Sequence, residues 1–195
     1  MVGIPLGGIG QATNDSPYSS YGFGDLIATG QVVQATMGGV GVAIDDPVSV
    51  SVINPATFSA LRAPVVELGV ASRTVSLRGQ GTEQTSTLGQ VMGLSLGIPI
   101  GKDRWGIALG MIPVSRVGYR ITDAVHLPDG NSIDLEYSGN GGMNRAFFGA
   151  GWALWQQRDS LKATRRLSVG ANFNYVFGSV DRERRAVYPA NQNYV

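Results

Sequence analysis

The sequence predicts an all-β protein, and more narrowly a transmembrane antiparallel β-barrel, from three observations. Bulky apolar residues alternate with small residues at a period of two in five separate stretches. The 195 residues include 28 glycines, and 15% of the residues are charged, against about 25% in ordinary globular domains. Turn-forming residues separate the alternating stretches, as expected for antiparallel strands joined by hairpins.

The composition excludes several other classes of protein. An apolar content of 43% with a net charge of +1 is not that of a disordered chain, and it argues against a nucleic-acid partner. The sequence contains no cysteine, which removes disulfides, thiolate metal sites and cysteine nucleophiles. The single histidine, His126, lies next to a Pro-Asp-Gly turn without a second histidine. We therefore expect no catalytic residues, no metal, no cofactor and no enzymatic activity.

The clearest alternation runs from Leu167 to Gly178, and similar patterns occupy 105–111, 148–154 and 66–70. In the stretch 88–98, the pattern places Leu88, Met92 and Leu94 on one bulky face. A soluble sandwich would carry charged residues on its wet face, whereas these strands carry glycine and alanine there. The pattern favours a bulky face in lipid and a small face lining a lumen. A soluble β-sandwich or adhesin stays open as an alternative.

Two features interrupt the predicted strands. Pro113 follows the stretch 105–111, and proline has no N–H for a strand ladder, so pairing must fail or bulge there. Residues 139–142 read Gly-Asn-Gly-Gly and predict a bulge or bend in the next strand. About five strands cannot close a barrel around a lumen, so 65–195 are interpreted as the first strands of an incomplete one.

The residues before the strands do not alternate. Residues 1–12 resemble the end of a signal peptide, with an ordinary N-terminus as the alternative. Within 13–64, Asn54 and Pro55 predict the N-cap and first position of a short helix. Asp45 and Asp46 are better explained as a turn or cap before proline than as a metal pair. With its low charge, this segment is predicted to form a hatch inside the small-residue lumen.

Several motifs together resemble the FadL-type outer-membrane transporters of hydrophobic compounds, in the version found in Bacteroidetes-type bacteria. The motifs are Ser-Pro-Tyr-Ser at 16–19, Met-Gly-Gly-Val-Gly-Val-Ala at 37–43, Asp-Asp-Pro at 45–47, Asn-Pro-Ala at 54–56 and the glycine-rich 139–145. The chain corresponds to the N-terminal part of that family. The resemblance implies a fourteen-stranded barrel, integral to the bacterial outer membrane, with an N-terminal lumenal hatch.

The resemblance also implies passive uptake of long-chain fatty acids or similar compounds, with lateral release into the membrane. Fatty acids and outer-membrane lipid are then the expected partners. The hatch residues would be Gly38, Gly39, Asp45, Asp46, Asn54, Pro55 and Ala56, the ligand would contact Val40, Val42, Phe58, Leu61 and Arg145, and Pro113 would break the strand beside the lateral opening. The alternative within the same resemblance is a barrel that serves as the protein partner of a secretion system.

Overall fold

The computed structural model describes residues 16–27, 32–79, 82–101, 104–126, 132–159 and 162–188. Residues 1–12, predicted to be signal-like, lie outside the described residues. The elements in chain order are a 3₁₀ helix Pro17–Ser20, β1 Asp25–Leu26, α1 Val32–Thr36, a 3₁₀ helix Pro55–Ala60, β2 Val65–Gly79, β3 Thr82–Ile100, β4 Trp105–His126, β5 Ser132–Asp159 and β6 Lys162–Val187. Among these residues, no helix is both long enough and apolar enough to cross a membrane.

One antiparallel sheet dominates the structure, in the order β2-β3-β4-β5-β6. The short strand β1 pairs with β4 at Asp25↔Arg116 and Leu26↔Ser115. The long strands are joined in sequence order, so each pair is a hairpin. This confirms the all-β class and the antiparallel pairing that the period-two pattern predicts.

The two faces of the sheet differ as the alternation predicts. The inner face, defined as the face that contacts residues 16–27 and 32–64, carries small residues such as Gly106 and Ala108 of β4. The outer face is the opposite one, and its large side chains are exposed, including Leu68, Leu94, Leu109, Phe148, Trp152, Val169 and Phe173. Alternation of apolar and small residues therefore sorts the strands into an open apolar surface and a surface that another segment covers.

One strand departs from the predicted alternation. The register between β2 and β3 runs from Gly69↔Gly93 to Val70↔Val91, so Met92 is an extra residue in β3. Such a β-bulge reverses which residues face outwards. Val91 is exposed on the outer side, whereas Met92 is half-buried beneath Val32 and Gly69. Leu88 and Met92 therefore do not share a face with Leu94, contrary to the prediction.

The break predicted near Pro113 has a specific geometry. The pairing between β3 and β4 ends at Leu94↔Met111, two residues before the proline. The register between β4 and β5 shifts between Pro113 and Ser115. The predicted bend at 139–142 coincides with left-handed backbone at Gly141 and Gly142, while β5 continues without interruption from Ser132 to Asp159.

Candidate functional site

The inner face of the sheet holds the N-terminal segment, defined as residues 16–27 and 32–64. Its central element is the Pro55–Ala60 helix, which begins as the sequence predicts. The side chain of Asn54 accepts a hydrogen bond from the Ala56 amide at 3.2 Å, and Pro55 follows at the first helical position. The Asn54 amide group also donates to the carbonyl of Val42 at 2.7 Å. Asn54 therefore starts the helix and ties it to an earlier part of the segment.

Three glycines on neighbouring strands form a cradle for this helix. Gly106, Gly151 and Gly170 lie directly opposite one another across β4, β5 and β6. A Cβ atom at Gly151 would lie 2.5 Å from the Pro55 carbonyl oxygen and 2.9 Å from the Ser59 amide nitrogen. Methyl groups at Gly106 and Gly170 would overlap the helix backbone in the same way. The helix packs backbone to backbone on the sheet, and no larger residue fits in this row.

Apolar side chains anchor the segment beside the cradle. Phe58 has no exposed surface and Leu61 has 1%, so both belong to the core. The buried cluster consists of Val50, Val52, Phe58, Leu61, Ala108, Ile112 and Phe147. Burial of a large apolar side chain stabilises a fold by roughly 1.5–3 kcal/mol. Much of the stability of this contact therefore comes from the segment's own side chains.

Polar contacts tie the segment to both ends of the sheet. On β2, the Glu67 carboxylate accepts from the Ser49 hydroxyl at 2.9 Å and from the Val50 amide at 3.1 Å. On β6, the Asn172 amide group donates to the Val52 carbonyl at 2.9 Å. Further contacts to β6 are the Ser59–Ser168 hydroxyl pair and the Arg166–Asp45 ion pair. One segment thus bridges the first and last strands of the sheet.

The structure separates the residues predicted to contact a ligand. Phe58 and Leu61 are buried in the core, whereas Val40 is 62% exposed and Val42 is 68% exposed. Arg145 lies on β5 between Ile112 and Val176, and its Nε is buried without a hydrogen-bond partner among the described residues. That these five residues contact a ligand stays a prediction.

The predicted hatch residues have local structural roles. The Asp46 carboxylate accepts from the Val48 amide at 3.0 Å, which is a turn contact, and Asp45 pairs with Arg166. Gly38 and Gly39 follow α1 with φ values of 70° and 88°, a conformation that favours glycine. In the described part of the chain, no cluster of acidic or histidine side chains is arranged to hold a metal.

An opening between β3 and β4 is the second notable feature. It lies beyond the last pair of these strands and has a volume of about 600 Å³. Its lining residues are Val70, Ala71, Gly89, Gln90, Val91, Gly93, Leu94, Met111, Pro113, Arg116 and Asn144. The edge of β4 at this opening is covered by the N-terminal segment: the Ile27 amide donates to the Val114 carbonyl at 2.9 Å, and the Ser16 amide to the Gly118 carbonyl at 3.2 Å.

Sequence reasoning missed Glu67, Asn172 and Ser168 as anchors of the N-terminal segment. Each is a polar residue on the small-residue face of a strand. A polar side chain among glycines and alanines was the sequence feature that could have identified it as an anchor. Glu67 is the clearest case, because a single carboxylate stands between Val66 and Leu68. The pattern does not indicate the partners, which lie 17 to 120 residues away in the chain.

The fold and its inner site define a protein built on an antiparallel β-sheet, with an exposed apolar outer face and an N-terminal segment packed on the inner face. The model of the BamG family matches residues 1–194, and the chain belongs to the BamG family. This family is related to the BAM complex and is associated with the bacterial outer membrane. Comparisons with curated proteins and with solved structures give no match.

Family membership corrects the function expected from the sequence. The assignment to FadL-type transporters is wrong, and so is the fatty-acid uptake that depended on it. The family points to a protein partner and not to fatty acids or outer-membrane lipid, and neither the secretion-system role nor the soluble adhesin is supported. The Asn-Pro-Ala motif at 54–56 led to the wrong family because these residues begin a helix that packs against glycines of the sheet. This is a packing requirement and does not specify transport.

Proposed function

We propose that this protein acts in outer-membrane protein assembly as a binding component associated with the BAM complex. The observation that carries the proposal is the match of the BamG family over residues 1–194. The proposed role is to bind and position another protein, with no chemical step. The inner face fits such a role, because Phe58, Glu67 and Asn172 anchor the N-terminal segment to the sheet, so that the two form one folded unit.

The outer face supports a second element of the proposal, that the protein is integral to the outer membrane as part of a barrel wall. Strands β2 to β6 contain 15 to 28 residues, and about 9–11 residues suffice to cross a bilayer. Trp105 and Trp152 stack at 4.9 Å on this face, and aromatic residues are typical of membrane interfaces. The outer edges of β2 and β6 must then pair with further strands, since lipid offers no hydrogen bonds.

Polar extensions of β4, β5 and β6 continue beyond this apolar surface. Arg120 pairs with Glu136 at 3.1 Å, and the Arg184 guanidinium lies 5.2 Å from the centre of the Tyr137 ring. Charged side chains are costly in the hydrocarbon region, so this part of the sheet is proposed to stand outside the bilayer. It presents polar surface from three strands to partners in the aqueous phase.

The proposal is tested by purifying the tagged protein from the outer membrane of its own bacterium after mild detergent extraction. We expect the subunits of the BAM complex to be enriched over a control purification with the same tag on an unrelated outer-membrane barrel. We also expect depletion of the protein to lower the amount of folded outer-membrane proteins. Normal assembly after depletion, together with no enrichment of the BAM complex, would contradict the proposal.

Membrane integration is tested separately. We expect the protein to stay with the membrane after washing with alkaline carbonate, as integral proteins do. Release into the supernatant, with enrichment of the BAM complex preserved, would refute the barrel-wall element and leave the assembly role intact.

A further inference from the structure

Strands β4, β5 and β6 continue past the apolar outer surface, and this part of the sheet has its own distribution of side chains. We define the extension as residues 119–126, 132–139 and 182–187. The Arg182 guanidinium donates a hydrogen bond to the Gly22 carbonyl, so Arg182 lies on the inner face. Gly139 and Tyr119 are its partners across β5 and β4 and share that face. Alternation then assigns every second residue of the extension to the inner face.

The extension reverses the polarity found in the rest of the sheet. Its outer face carries charges that pair with one another, Arg120 with Glu136 and Arg185 with Glu183. Its inner face is mainly apolar and includes Tyr119, Ile121, Val125, Ile133, Leu135 and Tyr137. Outside a bilayer, the apolar face of a sheet is the one that another surface must cover.

A loop formed by residues 16–24 crosses the base of this inner face from β4 to β6. The Ser16 amide donates to the Gly118 carbonyl at 3.2 Å, and the Gly118 amide donates to the hydroxyl of Ser19, which has no exposed surface. At the other end of the loop, Arg182 of β6 holds a backbone carbonyl. Serine side chains and backbone groups therefore fix the loop on the sheet.

The three aromatic side chains of this loop do not take part in that attachment. Tyr18, Tyr21 and Phe23 are 73%, 78% and 70% exposed. Tyrosine, phenylalanine and arginine are enriched in protein–protein interfaces, and a backbone that is already fixed lowers the entropy cost of binding. A lipid occupant does not suit this place, because the loop lies on the inner face and the proposed lipid contact is on the outer face. The exposed aromatic group therefore indicates a protein partner.

The charges of the inner face specify the partner further. The inner face of the extension carries Arg182, Arg184 and one acidic residue, Asp123. Among the described residues, neither arginine forms an ion pair, in contrast to the arginines of the outer face. The Arg184 guanidinium lies 5.2 Å from the centre of the Tyr137 ring, whereas Asp123 faces Leu135 on the next strand. A positive charge beside an aromatic ring is complementary to a segment that carries carboxylates among apolar side chains.

We infer that the loop 16–24 and the inner face of the extension together form a docking surface for a protein segment that carries carboxylates among apolar side chains. The inference rests on the proposed function, and it names the surface that meets a subunit of the BAM complex. Tyr18, Tyr21 and Phe23 contact the apolar side chains of the segment, and Arg184 pairs with one of its carboxylates.

The test uses photo-crosslinking residues placed one at a time at positions 18, 21 and 137 of the full chain in the native outer membrane. Positions 120, 138 and 183 are in register with one another on the outer face of the same extension and provide controls. We expect the inner positions to give adducts with one subunit of the BAM complex, and the control positions to give much less of this adduct. The attachment sites should fall within one segment of that subunit that contains aspartate or glutamate.

A second measurement compares Arg184→Glu with Arg185→Glu, which alters the next residue on the outer face. We expect Arg184→Glu to lower the yield of the adduct at position 21 about tenfold, because it replaces attraction to a carboxylate by repulsion, and Arg185→Glu to lower it much less. Replacing the crosslinked carboxylate of the partner by lysine should restore the yield with Arg184→Glu. Tyr21→Ser changes an exposed side chain that does not hold the loop, so it should leave the fold intact while lowering the yield of the adduct at position 137 about tenfold.

Several results would overturn the inference. These are adducts within this chain alone, adducts with lipid alone, attachment sites scattered over several proteins, equal adducts from the two faces of the extension, or no adduct. Equal losses with Arg184→Glu and Arg185→Glu, or an unchanged yield with Tyr21→Ser, would also overturn it.

The same preparations separate this inference from the proposed function. Enrichment of the BAM complex without adducts at the inner positions would refute the docking surface and keep the assembly role. Adducts with one acidic segment of another protein, without enrichment of the BAM complex or an assembly defect, would refute the assembly role and keep the docking surface.

Discussion

Substitution of Gly151 by alanine tests whether the glycine cradle holds the N-terminal segment. The added Cβ would lie 2.5 Å from the Pro55 carbonyl oxygen, 2.9 Å from the Ser59 amide nitrogen and 3.1 Å from the Ala56 carbonyl oxygen. All three neighbours are backbone atoms, so no side chain can rotate away to make room. The Pro55–Ala60 helix must move, and Phe58 must move with it.

The expected magnitude follows from two opposing terms. Overpacking of a close contact costs about 1–3 kcal/mol. Replacing glycine by alanine stabilises a fold by about 0.4–1 kcal/mol where the backbone permits it, because the unfolded chain loses freedom. Since Gly151 does not have a left-handed φ, both terms apply. We expect Gly151→Ala to lower the free energy of unfolding by about 1–2 kcal/mol.

Gly89 provides a matched control on the same sheet. A Cβ at Gly89 has no neighbour within 4 Å, and its φ is also not left-handed. Gly89→Ala should therefore raise the free energy of unfolding by about 0.4–1 kcal/mol. The two substitutions are chemically identical, so their opposite signs isolate the contact with the helix.

The assay is a urea titration of the purified protein in phospholipid vesicles, followed by tryptophan fluorescence. Limited proteolysis of the N-terminal segment serves as a second readout, because a displaced helix exposes its backbone to cleavage. We expect Gly151→Ala to show a lower urea midpoint and faster cleavage near residue 58 than Gly89→Ala. If both variants are stabilised and cleaved alike, the helix is not seated on the glycines and the reasoning is refuted.

Three further substitutions test other parts of the structure in the same titration. Phe58→Ala should cost about 3–5 kcal/mol, because the side chain is fully buried in the core; a loss under 1 kcal/mol would show that the site is not packed. Asn54→Ala should cost about 0.5–2 kcal/mol through loss of the helix cap, and an unchanged midpoint would contradict that role. Leu109→Arg should cost about 2–4 kcal/mol in vesicles if the outer face meets lipid, whereas Asn174→Arg, at an exposed position on the inner face of β6, should change stability by under about 0.5 kcal/mol; equal effects would contradict a lipid-facing surface.

The sequence predicted the strands well because their signal is local. In the stretch from Leu167 to Gly178, the identity of alternate residues was enough to assign a bulky face and a small face, and both are observed. It also predicted that the small face leaves room for another segment. Asn54 and Pro55 predicted the start of the 3₁₀ helix, since caps depend on neighbouring residues.

The sequence did not predict features that depend on distant partners. The bulge at Met92 arises from pairing with β2, so periodicity alone placed Leu88 and Met92 on the wrong face. The ties from Glu67 to Val50 and from Asn172 to Val52 join residues far apart in the chain. The function was predicted wrongly because it was inferred from motifs such as Asn-Pro-Ala. This motif determines how a helix packs on glycines, and packing alone does not identify a partner.

The N-terminal segment links the two ends of the sheet, but these links do not account for the separation of β3 and β4. The segment is tied to β2 through Glu67 and to β6 through Asn172, so it holds the two ends of the sheet in a fixed relation. The separation of β3 and β4 beyond Met111 has two local causes instead: Pro113 has no N–H for the ladder, and β1 pairs with Ser115 and Arg116 on the edge of β4 that β3 would otherwise occupy.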